Sequence, residues 1–219
     1  MKIDDLTRTT IGKFQIRKLI GRGATSSVYL AEDPFTGSEV AIKIAHLNVF
    51  NEPLSGSRYK KMFMNEASLA GKLRHPHIVA VYDAGTEGEM HYIVMECVHG
   101  VTLKSYCTPE TLLPLEDVVE IVFKCCDALE YAHGQGLIHR DIKPANLLCT
   151  GGTEIKISDF GTALLSDSEL TQIVDTVGTP SYMSPEQIAG GEITPQTDIY
   201  SLGVVMYQLL TGKLPFTGT

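Results

Sequence analysis

The 219-residue chain lacks a basic excess: 18 lysines and arginines stand against 26 aspartates and glutamates, a net charge of −8. A general nucleic-acid binder would carry a positive face, so the balance argues against that class. Short pairs such as Lys60-Lys61 and Arg17-Lys18 read as solvated surface. A disulfide or zinc framework is also missing. The five cysteines (Cys97, Cys107, Cys125, Cys126, Cys149) are odd in number and show no CxxC spacing, which fits reduced thiols of a cytosolic protein. No apolar run approaches the ~20 residues of a membrane span. Met1-Lys2-Ile3-Asp4-Asp5 is no signal peptide, so the segment is expected to be soluble and without membrane contact, an anchor beyond it staying open. Repeats and low-complexity tracts are absent. What is present, 43% hydrophobic and 20% charged residues, is ordinary for a globular protein and long enough for one large or two small domains.

The first third reads as strands: Phe14–Ile20, Ser27–Ala31 and Glu39–Ile44, separated by Gly and Pro punctuation. A helix is expected over Tyr59–Leu73, where Met62, Glu66, Leu69 and Leu73 share a face. Val79–Tyr82 and Met90–Met95 flank Glu87-Gly88-Glu89, a hairpin signal. From Leu115 to His133 the apolar positions Val118, Ile121, Val122, Cys125 and Leu129 follow a helical period, with Glu116 and Asp117 at the positive end. Leu147–Cys149 and Ile155–Ile157 bracket another hairpin turn. Thr162–Pro180 is rich in Ser, Thr and Asp and has no periodicity, a kind of stretch that is often functional. Thr194-Pro195 then opens a helix that Gly212 stops; it is apolar over most of its circumference and is expected to be buried on nearly all sides.

The chemistry concentrates in His139-Arg140-Asp141-Ile142-Lys143-Pro144-Ala145-Asn146 and Asp159-Phe160-Gly161. Phosphoryl transfer from a metal nucleotide needs an aspartate at the attacking hydroxyl, a cation near the moving phosphoryl, and an amide plus a second carboxylate on the metal. Asp141, Lys143, Asn146 and Asp159 supply those types at those spacings. A single loop aspartate is more often a turn or cap residue; the full constellation is not explained that way. Upstream, the glycine-rich turn Gly21-Arg22-Gly23-Ala24-Thr25-Ser26-Ser27-Val28 can bring backbone N–H groups to phosphates, although alone it is also an ordinary hairpin. Val40-Ala41-Ile42-Lys43 puts a lysine among apolar strand residues, where it needs anionic partners; phosphate and Glu66 would be those partners.

These motifs, with His75-Pro-His77-Ile-Val, Tyr92-Ile-Val-Met-Glu96 and Ser184-Pro-Glu-Gln187, resemble the eukaryotic-type serine/threonine protein kinases over nearly the whole chain, and within them the bacterial receptor type. The resemblance implies an α+β bilobal fold: residues 1–98 as a β-rich nucleotide-binding lobe with one helix, and 99–219 as an incomplete, mainly helical lobe. It implies ATP with Mg²⁺ or Mn²⁺, and protein substrates with Ser or Thr acceptors. By the same resemblance the catalytic group is Asp141, Lys143, Lys43 and Glu66, and Asn146 and Asp159 hold the metal. The nucleotide falls to Gly21, Gly23, Ser26, Val28, Ala41, Lys43, Met95, Glu96, Val98 and Leu148. Asp198 braces the catalytic loop, and His139 and Phe160 stack with Ala70 and Val81.

The stretch from Asp159 to Glu186 resembles an activation segment, with Arg140 as a clamp for a loop phosphate, Thr171 and Thr176 as phosphorylation candidates, and Asp175 as a partial substitute charge. These hydroxyls are equally well read as solvated loop residues. The resemblance further places a last group of helices after residue 219, which would cover one flank of the Ile199–Leu210 helix and give Glu186 an arginine. Without them the flank is expected to be exposed and Glu186 to lack that partner. A homodimer through the small lobe and a membrane anchor past the segment are family expectations. The rivals are a nucleotide-binding or scaffolding module without transfer, and a small-molecule kinase of the same fold.

Overall fold

The computed structural model describes residues 9–23, 25–47, 56–57, 60, 63–64, 68, 71–160 and 180–216. The chain divides into two compact units, one of residues 1–72 and 80–98, the other of residues 73–79 and 99–219.

In the first unit, six antiparallel strands form one sheet in the order β1-β2-β3-β4-β6-β5: β1 (Thr10–Ile11), β2 (Phe14–Arg22), β3 (Ser26–Glu32), β4 (Glu39–Ala45), β5 (Val81–Glu87) and β6 (Met90–Glu96). Alternation of side chains along a strand sorts them between two faces. Ile16, Tyr29, Ala31, Val40, Ile42, Ile44 and Val94 gather with Ile11 and Phe14 into one buried cluster. The opposite face of the same strands takes Val28 and Lys43, which are register partners, and Ala41 with its partner Met95. The expected strands are all present, four of the five in this unit extended by one or two residues and the one expected at Val79–Tyr82 shifted to Val81–Glu87. Glu87-Gly88-Glu89 does close a hairpin, with Gly88 at φ +59°, but its first strand begins at Val81 rather than Val79. The two-residue β1 was not legible, being too short to show a period. The helix expected over Tyr59–Leu73 falls largely outside the described residues.

The second unit carries a three-stranded sheet, β7 (Val101–Thr102), β8 (Leu147–Gly151) and β9 (Glu154–Ile157), and, among the described residues, three α-helices: α1 (Leu115–Gly134), α2 (Pro185–Ala189) and α3 (Pro195–Thr211). The buried stripe of α1 is Val118, Ile121, Cys125, Ala128, Leu129 and Ala132; Val122 is only half-buried and is absent from it, and α1 packs on α3 and β9. Adjacent Cys125 and Cys126 part company, one fully buried and one exposed. Burial pushes the Cys125 thiol up to about 12.

Residues 73–79 join this unit by specific bonds. Val79 N–H donates to the Ile157 carbonyl and Ile157 N–H to the His77 carbonyl, each at 2.9 Å. His75 stacks on Tyr131 and its Nε2 lies 3.2 Å from the Asp127 carboxylate.

Pro195 stands in the first turn of α3 and Gly212 closes it at φ +70°, but the Thr194 hydroxyl makes no capping bond. The helix is not buried on nearly all sides: Thr197, Asp198, Ser201, Leu202, Val204, Val205 and Leu209 are buried, whereas Ile199, Tyr207 and Leu210 remain exposed. Apolar composition cannot separate a wholly buried helix from one with an apolar flank in solvent.

Gly100 precedes β7 where that strand pairs with β8, and a Cβ there would run into the carbonyl oxygen of Cys149. Gly134, at the end of α1, meets nothing within 4 Å. We expect Gly100→Ala to cost about 1–3 kcal/mol through overpacking, and Gly134→Ala to be neutral or stabilising by up to ~1 kcal/mol. Urea melts of the two variants provide the comparison.

Candidate active site

The residues that carry the chemistry sit on an irregular segment between α1 and β8, where no ladder satisfies the backbone. Asp198, fully buried on α3, does so instead. Its Oδ2 accepts from the His139 N–H at 2.8 Å and lies 2.7 Å from His133 Nε2, while its Oδ1 accepts from the Arg140 N–H at 2.8 Å. Just past the second of these N–H groups the backbone turns left-handed at Arg140, φ +68°, and redirects the chain toward Asp141. A non-glycine residue pays for that conformation, about 1–2 kcal/mol. Hydrogen bonds to a charged acceptor are worth about 1.5–3 kcal/mol each, so the bonds to Asp198 outweigh the strain. The expected brace is present, and His133 is a partner that sequence reading missed. It lies 65 residues from Asp198, and no local pattern links the two.

The brace delivers Asp141. Lys143 Nζ donates to both its carboxylate oxygens, at 2.9 and 2.8 Å, and Asn146 Nδ2 donates to its Oδ2 at 2.9 Å and to its main-chain carbonyl at 2.8 Å. A short 3-10 turn, Pro144–Asn146, holds Asn146 buried under the loop. With Nδ2 engaged on Asp141, Oδ1 is the atom Asn146 can offer a cation. Asp159 follows β9, also left-handed at φ +67°, and its Oδ2 accepts from the Ser158 hydroxyl at 3.2 Å. Carboxylate and amide oxygens form the donor set a hard divalent cation takes, so these residues fit Mg²⁺ or Mn²⁺. Phe160 is buried against His139, ring centroids 4.5 Å apart, and His139 Nε2 contacts the Ser158 carbonyl at 2.8 Å.

In the first unit, Val28, Ala41, Lys43 and Met95 share one sheet face. Gly21 pairs with Val28 at the end of the β2–β3 ribbon, and Gly23 N–H donates to the Ser26 carbonyl at 2.8 Å, closing the glycine-rich turn. Glu96 ends β6, its N–H bonded to the Ala80 carbonyl at 2.8 Å, and Val98 follows it half-buried. Leu148 lies half-buried on β8 in the second unit. Ala70, Glu66, Thr171, Asp175 and Thr176 lie outside the described residues.

The segment leading into α3 is tied to it by side chains. Tyr182 Oη donates to Gln208 Oε1 at 2.6 Å, and the Ser201 hydroxyl donates to the Tyr182 carbonyl at 2.8 Å. Glu186, expected to be left without its arginine, accepts from the Thr197 hydroxyl at 2.7 Å. That bond, followed by a backbone N–H, holds the Glu186 carboxyl below its ordinary value of 4.5.

Two consequences are measurable. Asp198→Asn turns one acceptor into a donor facing donors, and should cost about 3–5 kcal/mol, as for a broken buried pair. Asp141→Asn, on a half-exposed loop, should cost under about 1 kcal/mol; urea melts rank the two. For Glu186 the folded carboxyl is depressed, so its contribution is complete above the ordinary glutamate range and lost as pH falls through the folded value. Thr197→Val should therefore give a shallower loss of stability below pH 4.5 than the wild type, read from denaturation midpoints across the acid limb.

Comparison with known proteins agrees with this geometry. The chain is 42% identical over 208 residues to serine/threonine-protein kinase PrkC of Bacillus subtilis, and 38% identical over 213 residues to serine/threonine-protein kinase PknB of Mycobacterium tuberculosis. Each alignment covers 94% of this chain but only 32% and 33% of those proteins, so the chain spans about a third of the length of the relatives it matches. Among solved structures, Rad53 1-466 in complex with AMP-PNP superposes with a TM-score of 0.75 at 30% identity, covering 94% of this chain and 50% of that one. The Mycobacterium tuberculosis PknI kinase domain gives 0.75 at 28%, covering 96% and 79%. The protein kinase domain family matches residues 14–219, and the chain belongs to that family.

Proposed function

We propose that this domain transfers the γ-phosphate of ATP to serine or threonine hydroxyls of proteins. The observation that supports it most directly is the Asp141 carboxylate, held by Lys143 and Asn146 at 2.8–2.9 Å on a loop braced by Asp198. A substrate hydroxyl oxygen attacks the γ-phosphorus, an O–P bond forms, and the bond to the β–γ bridging oxygen breaks to release ADP. Asp141 orients that hydroxyl and accepts its proton. Lys143, two residues on, balances charge on the transferring group. Lys43, on the face shared with Val28 and Ala41, is assigned to the phosphates with Glu66, and Val28, Ala41, Met95, Glu96, Val98 and Leu148 to the adenine. Gly21, Gly23 and Ser26 present the turn to the phosphates. Asn146 and Asp159 would hold Mg²⁺ or Mn²⁺, which when bound neutralises phosphate charge.

Residues 1–98 and 99–219 are assigned to the two lobes, with the 73–79 segment packing in the second unit. Arg140 and the Thr171–Thr176 stretch, with Asp175, are assigned to regulation by loop phosphorylation. The names of the bacterial relatives support serine and threonine as acceptors. The five free cysteines support a cytosolic setting, and no helix among the described residues is long and apolar enough to cross a membrane.

The test is the intact mass of phosphatase-treated chain after incubation with Mg²⁺–ATP, beside Asp141→Asn. Phosphate additions are expected in the wild type alone, and peptide mapping then tests Thr171 and Thr176. Additions in both proteins would overturn the role of Asp141; none in either would overturn transfer by this chain.

A further inference from the structure

We infer that Gln187 is a positioning residue for the catalytic loop, holding the carbonyl side of Arg140 as Asp198 holds its N–H side. The inference rests on the kinase reading and adds to it a residue with no part in the phosphoryl-transfer pattern. Gln187 is the third residue of α2 and is 8% exposed. Its side chain works at both ends. Oε1 accepts from the Ser184 N–H at 3.1 Å, closing a capping box in which the Ser184 hydroxyl accepts from the Gln187 N–H at 3.3 Å. Nε2 donates to the Arg140 carbonyl oxygen at 2.8 Å.

The orientation of the amide follows from its partners. One end meets a donor and the other an acceptor, and the flipped amide would set oxygen against oxygen and nitrogen against N–H.

Arg140 is the residue whose strained backbone aims Asp141. A left-handed non-glycine residue persists only where its surroundings fix it. Asp198 fixes the N–H at 2.8 Å, and Gln187 fixes the carbonyl, which belongs to the peptide unit that leads into Asp141. Removing the second anchor leaves that peptide free to rotate and lowers the fraction of molecules with Asp141 in place. The loss falls on turnover, because none of these groups is assigned to the nucleotide.

Gln187→Glu isolates the bond. The introduced carboxylate still accepts from the Ser184 N–H, so the cap survives, but it has no proton for the Arg140 carbonyl. When protonated it regains a donor. We measure kcat and KM for ATP of the 219-residue chain on dephosphorylated casein between about pH 6 and 8. The variant-to-wild-type ratio for kcat should be about 0.1 near pH 8, with KM for ATP within about twofold. Gln187→Met, uncharged and of similar size, should lose kcat at every pH.

A kcat ratio near 1 for Gln187→Glu overturns the inference, as does a matching loss in ATP affinity. Amide hydrogen exchange supplies a readout that needs no turnover: the Arg140 amide should exchange about tenfold faster in either variant, with Leu129 in α1 unchanged. Equal exchange at Arg140 overturns the inference. If the wild type transfers no phosphate, the functional reading fails while the exchange comparison still decides the clamp.

Discussion

Everything the second unit offers chemically hangs on one buried carboxylate. Asp198 is fully excluded from solvent, a position that costs several kcal/mol for an ion unless its oxygens are satisfied. They are satisfied by the two N–H groups of His139 and Arg140, and by contact with His133, none of which could reach a ladder partner. The desolvated acid and the irregular loop therefore solve each other's problem. The loop cannot relax to an ordinary backbone without stranding the charge, and α3 cannot shift along its axis without stranding the loop. Rigidity is concentrated there, with Ser201 bonding back to its own helix and to the Tyr182 carbonyl.

The reacting side chains are held differently. Lys143 and Asp141 form a short ion pair, but their side chains are 28% and 36% exposed. Exposed pairs contribute only about 0–1 kcal/mol, so the lysine can turn from carboxylate to phosphate at little cost. Asn146 is the contrast: it is buried, bonded to Asp141 at two points, and stays put. Strong fixation of the backbone with weak fixation of the mobile cation suits the transfer proposed for this site, in which the aspartate is aimed before the phosphate arrives and the lysine follows the charge.

Legibility in the sequence tracks the range of the interaction. Strands and long helices rest on local periodicity, so Phe14–Arg22, Glu39–Ala45 and Leu115–Gly134 were readable to within a residue or two. The loop motif was readable because its members lie within eight residues of one another, from His139 to Asn146. The His133 contact with Asp198 and the Thr197–Glu186 bond were not, since they join residues 65 and 11 apart with no pattern between them. The role of α3 was legible by resemblance, which assigned Asp198 and expected an exposed flank on the Ile199–Leu210 helix, whereas composition alone could not separate Ile199, Tyr207 and Leu210 in solvent from core residues. The two-residue strands β1 and β7 carry too few side chains to show any period.

The same reasoning explains why α2 matters more than its five residues suggest. A helix that short gains little from its own hydrogen bonds, and Ile188, its one large apolar side chain, is 63% exposed. What fixes it is polar: the capping box of Ser184 and Gln187, the Gly190 carboxy-terminal cap, and the bond from Thr197 to Glu186. Two of its side chains also tie the helix to something else, Glu186 to α3 and Gln187 to the catalytic loop. A segment stabilised by its own apolar core could move as a body; one stabilised by bonds to its neighbours cannot move without breaking them. The helix is thereby coupled to Arg140, and through it to Asp141, by the Gln187 side chain rather than by an apolar core.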